Sequence, residues 1–197
     1  AYEVAAEKHV LLFDADDLHS GDEILSDEEK ARRERMRVFG SGILDYHWSQ
    51  DGLALLFPLA GDAYYAKLKD IKRGKSKAKQ LLRTADFETD IRLSPLGNYI
   101  SYIREKNLYV MNIASGIEKA ITTDGGGDIK FGMAEFVAQE EMNRMTGYWW
   151  SPNEQSIAFT KVDVSPVEEI TRTEIYADSI KTVTQRYPST GTDNLLI

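Results

Sequence analysis

The chain has 197 residues and a net charge of −8, from 24 Lys plus Arg against 32 Asp plus Glu, which disfavours a nucleic-acid binder with its concentrated basic face. There are no cysteines, and His9, His19 and His47 stand isolated, so disulfides, thiolate metal sites and a zinc-ligand spacing are excluded and no cofactor is expected. No apolar run approaches the ~18–20 residues that cross a bilayer, and the opening Ala1-Tyr2-Glu3-Val4 carries no signal-peptide pattern.

Along the chain, Asp14-Ala15-Asp16-Asp17 has the look of a calcium loop. Leu18 stands where the third ligand belongs and His19 where the turn glycine belongs, so a charged turn is the better reading. Ser26-Asp27-Glu28-Glu29 reads as a capping box, the serine meeting an early amide while Glu29 reaches back. The acidic first turn suits the helix dipole, and strong helix formers continue to Arg37. A helix is expected over about 27–37, its end docked by Val38 and Phe39 and its charges in solvent.

Three versions of one phrase follow: Trp48-Ser49-Gln50-Asp51-Gly52, Leu93-Ser94-Pro95-Leu96-Gly97 and Trp150-Ser151-Pro152-Asn153-Glu154. Each precedes a run suited to a half-buried strand: 54–57, 99–103 and 156–160. In the first two units a second strand follows across a polar turn, at 63–66 and 108–111. Trp48 and Leu93 are 45 residues apart, inside the ~40–50 of propeller repeats. The fold class expected is all-β, a partial β-propeller of about three four-stranded antiparallel blades. Residues 1–45 form an N-terminal arm with the helix, 46–90, 91–123 and 148–197 are blade repeats, and 124–147 is an insertion.

Between Lys67 and Arg83, 8 of 17 residues are Lys or Arg. Without interleaved aromatics or ordering glycines this reads as an exposed charged hairpin connection, not a phosphate site. Gly125-Gly126-Gly127 opens no helix after a strand, so it is an inter-blade loop and not a dinucleotide fingerprint. Tyr148-Trp149-Trp150 is expected in blade core, with Trp48 in the matching place.

From Leu93 to Trp150 is 57 residues, about 12 more than the first spacing, and the excess falls where Glu140 and Glu141 lie. An insertion between repeats can carry function without disturbing the core. Ala134–Met145 has neither glycine nor proline, so one to three helical turns are expected, closed by Gly147. Adjacent carboxylates on a helix point about 100° apart and converge on one ligand only if the helix end projects towards it. A peptide's terminal ammonium offers three donors, two of which a glutamate pair can meet with charge-assisted bonds. Glu-Glu pairs on exposed helices are common and usually idle; the position in the insertion singles this one out.

The phrase Ala134-Glu135-Phe136-Val137-Ala138-Gln139-Glu140-Glu141-Met142, with Trp149-Trp150-Ser151-Pro152 after it, resembles the bacterial dipeptidyl peptidase IV enzymes of the prolyl oligopeptidase family. So do the 27–35 helix and the closing stretch Tyr187–Asn194, where a YPxxG-type turn precedes the next strand. The resemblance implies an eight-bladed propeller packed on an α/β-hydrolase domain whose Ser-Asp-His triad releases Xaa-Pro or Xaa-Ala dipeptides. It implies that Glu140 and Glu141 are substrate-binding residues holding the free amino terminus of a peptide substrate. It also implies a homodimeric full-length subunit, periplasmic or secreted, in which the C-terminal hydrolase domain is the partner of this chain. Neither a G-x-S-x-G elbow nor a triad histidine follows the repeats, so no catalytic residue is assigned and the chain alone is expected to be inactive. Mammalian members contact the substrate carbonyl through a propeller arginine, and none appears between Phe57 and Tyr65. The alternative is a non-catalytic propeller interaction module in which the glutamate pair is incidental.

Overall fold

One turn, built the same way three times, sets the strands. Ser49, Ser94 and Ser151 each accept on Oγ from the amide five residues on, at 2.9 Å. Their own amides donate to the carbonyls of Ala54, Tyr99 and Ser156 at 3.0, 2.9 and 2.8 Å. The third residue after each serine turns left-handed: Gly52 at φ 68°, Gly97 at 76° and Glu154 at 58°. Glycine adopts that conformation freely; a glutamate there is strained. The strain is offset across the repeats, because the Glu154 carboxylate accepts from the Leu96 amide at 2.7 Å and from Asn98 Nδ2 at 2.8 Å, both in the preceding turn.

The computed structural model describes residues 1–71, 78–82 and 87–197. Strands β1 (Tyr2–Glu3) and β2 (Lys8–His9) pair ahead of helices α1 (Ala15–Leu18) and α2 (Asp27–Arg35). A four-stranded antiparallel meander follows: β3 (His47–Trp48), β4 (Ala54–Leu59), β5 (Asp62–Lys67) and β6 (Lys79–Gln80). The basic stretch over 67–83 contains β6, the antiparallel neighbour of β5, and residues 72–77 and 83 lie outside the described residues. A second four-stranded meander comprises β7 (Thr89–Leu93), β8 (Tyr99–Arg104), β9 (Asn107–Asn112) and β10 (Glu118–Ala120). The chain continues through β11 (Ile129–Phe131), α3 (Phe136–Glu141), β12 (Tyr148–Trp150), β13 (Ile157–Phe159), β14 (Lys161–Asp163), β15 (Glu169–Ile175) and β16 (Ile180–Arg186). The third repeat departs from expectation: β12–β13, β11–β14 and β15–β16 are separate two-stranded antiparallel pairs. The described chain is all-β with few, short helices.

The core lies between the two meanders, where Leu56 and Ala63 meet Ile91, Ile100, Tyr102 and Met111. The opposite face of the first sheet packs Leu55, Phe57 and Tyr64 against Phe13, Leu18 and Ile43 of the arm. Tyr148, 1% exposed, joins the third repeat to Ile103 and Leu108 and donates from its hydroxyl to the Asp90 carbonyl at 2.5 Å. Asp90 sits at φ 50° in an irregularity between Thr89 and Arg92, a device that re-aims a side chain.

Several local expectations are corrected. Phe39 is 80% exposed, so it docks nothing; the amides of Met36, Arg37 and Val38 close the helix, Val38 donating to the Arg33 carbonyl at 2.9 Å. The two repeat tryptophans are not equivalent. Trp48 is 46% exposed, whereas Trp150 stacks on Tyr99 with centroids 5.7 Å apart and donates to Ser101 Oγ at 2.9 Å. Asp14 caps the one-turn α1 through the Asp16 amide at 3.1 Å, and no metal-binding cluster exists among the described residues.

The insertion leaves the scaffold and returns to it at one point. Gly147 donates to the Gly132 carbonyl at 3.1 Å, and Gly132 and Gly147 are joined through Thr160 at 2.9 and 2.8 Å. A Cβ on Gly147 would stand 2.4 Å from the Met133 carbonyl oxygen, so only glycine permits this neck. Gly147→Ala is therefore expected to destabilise the protein by about 1–3 kcal/mol, read as a lower urea midpoint. Glu154→Ala is expected to cost about 1–3 kcal/mol by stranding its donors. Burial alone would raise the Glu154 carboxyl, but hydrogen bonds from Ser94, Asn98 and backbone amides hold it below the ordinary range. A lowered folded pKa stabilises fully above the unfolded value of about 4.3 and fades as pH falls through the folded one. Urea titrations from pH 7 to 3 should show that part of the acid sensitivity missing in Glu154→Gln.

Candidate functional site

Helix α3 is capped by a residue that sequence reading passed over. The Glu135 carboxylate accepts from the amides of Val137 and Ala138 at 2.6 and 2.7 Å, satisfying two first-turn donors. The helix does not run on to Gly147. Asn143, left-handed at φ 50°, turns the chain out, and the Arg144 amide reaches back to the Ala138 carbonyl at 2.9 Å. Ala138 and Gln139 form the buried side, with Gln139 Nε2 donating to the Ala134 carbonyl at 3.0 Å.

Glu140 and Glu141 are the last two residues of α3, and both are exposed. The structure holds them differently. Glu140 Oε1 lies 3.4 Å from Arg35 Nε, while Glu141 has no hydrogen bond or ion pair among the described residues. Arg35 also donates from Nη1 to Gln139 Oε1 and lies 5.1 Å above the Phe136 ring. Phe136 in turn meets Tyr187 edge-on at 5.1 Å, so the Tyr-Pro stretch backs the same helix. No arginine comes from Phe57–Tyr65, as expected; one reaches the pair from α2 instead. Charge patterning in the 27–37 segment contained it, but nothing in the sequence shows which arginine faces inward.

The inward-facing charges on α2 correct the solvated-helix reading. Ser26 caps as expected, accepting from the Glu29 amide at 3.1 Å. Glu29 is turned the other way: it accepts from Arg33 Nε at 2.9 Å and from the Thr89 hydroxyl on β7. Arg33 also forks onto Glu23, with both distances 2.9 Å, and Arg32 lies 3.8 Å from Asp90. The side chains of Arg32, Arg33 and Glu29 are only 15%, 14% and 12% exposed. No α2 residue is fully buried, so ionic contacts and not an apolar face dock this helix.

Between α2, β11, α3, β14 and β16 lies a cavity of about 460 Å³. Arg35, Phe136 and Gln139 line it, and the glutamate pair stands outside its wall. That volume is in the range of small-molecule and side-chain sites.

A family model described as the dipeptidyl peptidase IV (DPP IV) N-terminal region matches residues 49–197. Human dipeptidyl peptidase 8 is 30% identical over 195 residues, covering 86% of this chain and 21% of that protein. The probable dipeptidyl-aminopeptidase B of Arthroderma gypseum is 35% identical over 77 residues, 39% of this chain and 8% of its own length. Among solved structures, Porphyromonas gingivalis dipeptidyl peptidase 4 matches with a TM-score of 0.65 at 22% identity, over 78% of this chain and 23% of that one. The chain therefore spans about a fifth of the length of human dipeptidyl peptidase 8 and of the solved structure. With 149 of its 197 residues inside the matched region, this chain belongs to the dipeptidyl peptidase IV N-terminal region family.

Proposed function

We propose that this chain is the substrate-gating propeller part of a serine exopeptidase that releases N-terminal Xaa-Pro or Xaa-Ala dipeptides, with Glu140 and Glu141 holding the substrate's α-ammonium. The observation that carries the reading is the charge arrangement at the end of α3. Arg35 compensates Glu140 at 3.4 Å and leaves Glu141 without a partner among the described residues, so the cluster keeps about one negative charge in excess. An ammonium with a pKa near ~7.7–8.0 brings one positive charge and closes that balance with charge-assisted hydrogen bonds. An acetylated amine brings no charge and a single N–H in place of three donors.

Holding the amine at a fixed place measures distance along the peptide. It sets the bond after the second residue at a nucleophile supplied from outside these 197 residues. The same reading gives the full subunit an α/β-hydrolase domain, a homodimeric state and a place outside the cytoplasm. Arg35 is proposed to serve as the arginine that meets the substrate carbonyl, because Nη2 has no hydrogen bond among the described residues once Nε and Nη1 are engaged by Glu140 and Gln139. A planar fork of donors suits that double duty and a lysine does not.

In the full-length subunit, kcat/KM for a Gly-Pro anilide should far exceed that for its N-acetylated form. Glu140→Gln and Glu141→Gln should each cost about 2–4 kcal/mol of transition-state stabilisation on the free amine. Indifference to both changes would favour the interaction-module reading. Arg35→Lys should fall well below wild type on the same substrate, with Arg35→Met no better; full activity of Arg35→Lys would remove the arginine from the site.

A further inference from the structure

The cavity behind α3 contains a cation that nothing yet described uses. Five cationic side chains line it: Arg32, Arg35, Lys106, Lys130 and Arg186. Four are engaged. Arg186 forks onto Asp128 at 2.9 and 3.0 Å, and Lys106 Nζ donates to the Gly127 carbonyl at 2.9 Å. Arg35 is held by Gln139 and Glu140, and Arg32 lies 3.8 Å from both Glu29 and Asp90. Lys130, on β11, has no hydrogen bond or ion pair among the described residues.

We propose that this cavity is a carboxylate subsite held by Lys130, and that it takes an acidic side chain on the N-terminal residue of the peptide substrate. The second half rests on the exopeptidase reading above. Three observations lead there. A half-buried ammonium without a partner is costly, and a counter-ion relieves that cost. Burial first, and then the nearby Lys106, destabilise the charged form of Lys130, and the carboxylates of Glu28 and Asp128 do not compensate. Asp128 already spends both oxygens on Arg186.

The cavity also adjoins the proposed clamp. Arg35 belongs to both, lining the cavity and lying 3.4 Å from Glu140. The side chain of a substrate's first residue branches one bond from its amine. With the amine on the glutamates, that side chain points either to solvent or past Arg35 and Gln139 into the cavity. A carboxylate entering there would meet Lys130 with Arg35 and Lys106 reinforcing the field. Of the five carboxylates on the same lining, Asp128 is held by Arg186, Asp90 by Arg92, Asp27 by Lys30 and Glu135 by the first amides of α3, which leaves Glu28 on α2 opposing it.

The test compares Glu-Pro, Gln-Pro and Gly-Pro anilides with the full-length subunit, in wild type, Lys130→Met and Lys130→Arg. Wild type should prefer Glu-Pro over its neutral isostere Gln-Pro by about five- to tenfold in kcat/KM, the size of one partly desolvated charge pair. Lys130→Met should erase that preference while Gly-Pro stays within about twofold, and Lys130→Arg should restore most of it. No preference in wild type, or one untouched by Lys130→Met, overturns the proposal. If Gly-Pro anilide is not turned over at all, the exopeptidase reading fails and calorimetry on the same proteins decides the cavity separately. Glu-Pro dipeptide binding more tightly than Gln-Pro only while Lys130 is present keeps the carboxylate subsite; equal binding removes it.

Discussion

The serine turn fixes this structure, and its other features follow from its repetition. One hydroxyl and one peptide unit of the same residue lock a five-residue loop in each repeat. The strands on either side must then pair antiparallel in a set register, because turn geometry and register are linked. Where the third residue is glycine the turn closes without strain; where it is Glu154 the strained backbone supports a carboxylate that reaches the previous turn. One departure from the pattern thus becomes a tie between the second and third repeats, beside those of Tyr148 and Trp150. Gly132 and Gly147 meet across Thr160, and the stretch between them departs and returns between β11 and β12, which pair with the successive strands β14 and β13.

On this scaffold the junction of α2 and α3 is assembled by charge. Helix α2 carries no fully buried residue; it stands on the second meander through arginines and carboxylates largely shielded from solvent, and on α3 through the more open Arg35–Glu140 pair. Shielded pairs are screened less by salt than exposed ones, and removing one partner leaves the other costly to keep. Arg35 is the node, joining the arm to the insertion and standing between the exposed glutamates and the cavity. The Glu140 charge, the docking of α2 and the cavity wall all meet at one guanidinium.

Much of this was legible in the sequence, for local reasons. The serine phrases, the strand runs after them and the Ser26 cap depend on neighbours within five residues. What escaped was set by tertiary contact. Glu29 was expected to reach back into its own helix, but an arginine one turn on and a threonine 60 residues away win it. Arg35 meets Gln139 across 104 residues, a separation no periodicity reports. Gly147 has the look of a helix stop because glycines often are, but its constraint is tertiary: a Cβ there would stand 2.4 Å from the Met133 carbonyl oxygen, while Asn143 ends the helix. Trp48 and Trp150 share a phrase but not a neighbour, so one stays half exposed and the other stacks on Tyr99.

The central claim is that two carboxylates at the end of α3 receive a free amine. The most direct measurement is a crystal structure of the full-length subunit with a bound Gly-Pro dipeptide. The account predicts the ammonium nitrogen within about 2.7–3.2 Å of an oxygen from each of Glu140 and Glu141, with Arg35 still in place beside Glu140. An amine held elsewhere, with Glu141 left in solvent, would contradict it.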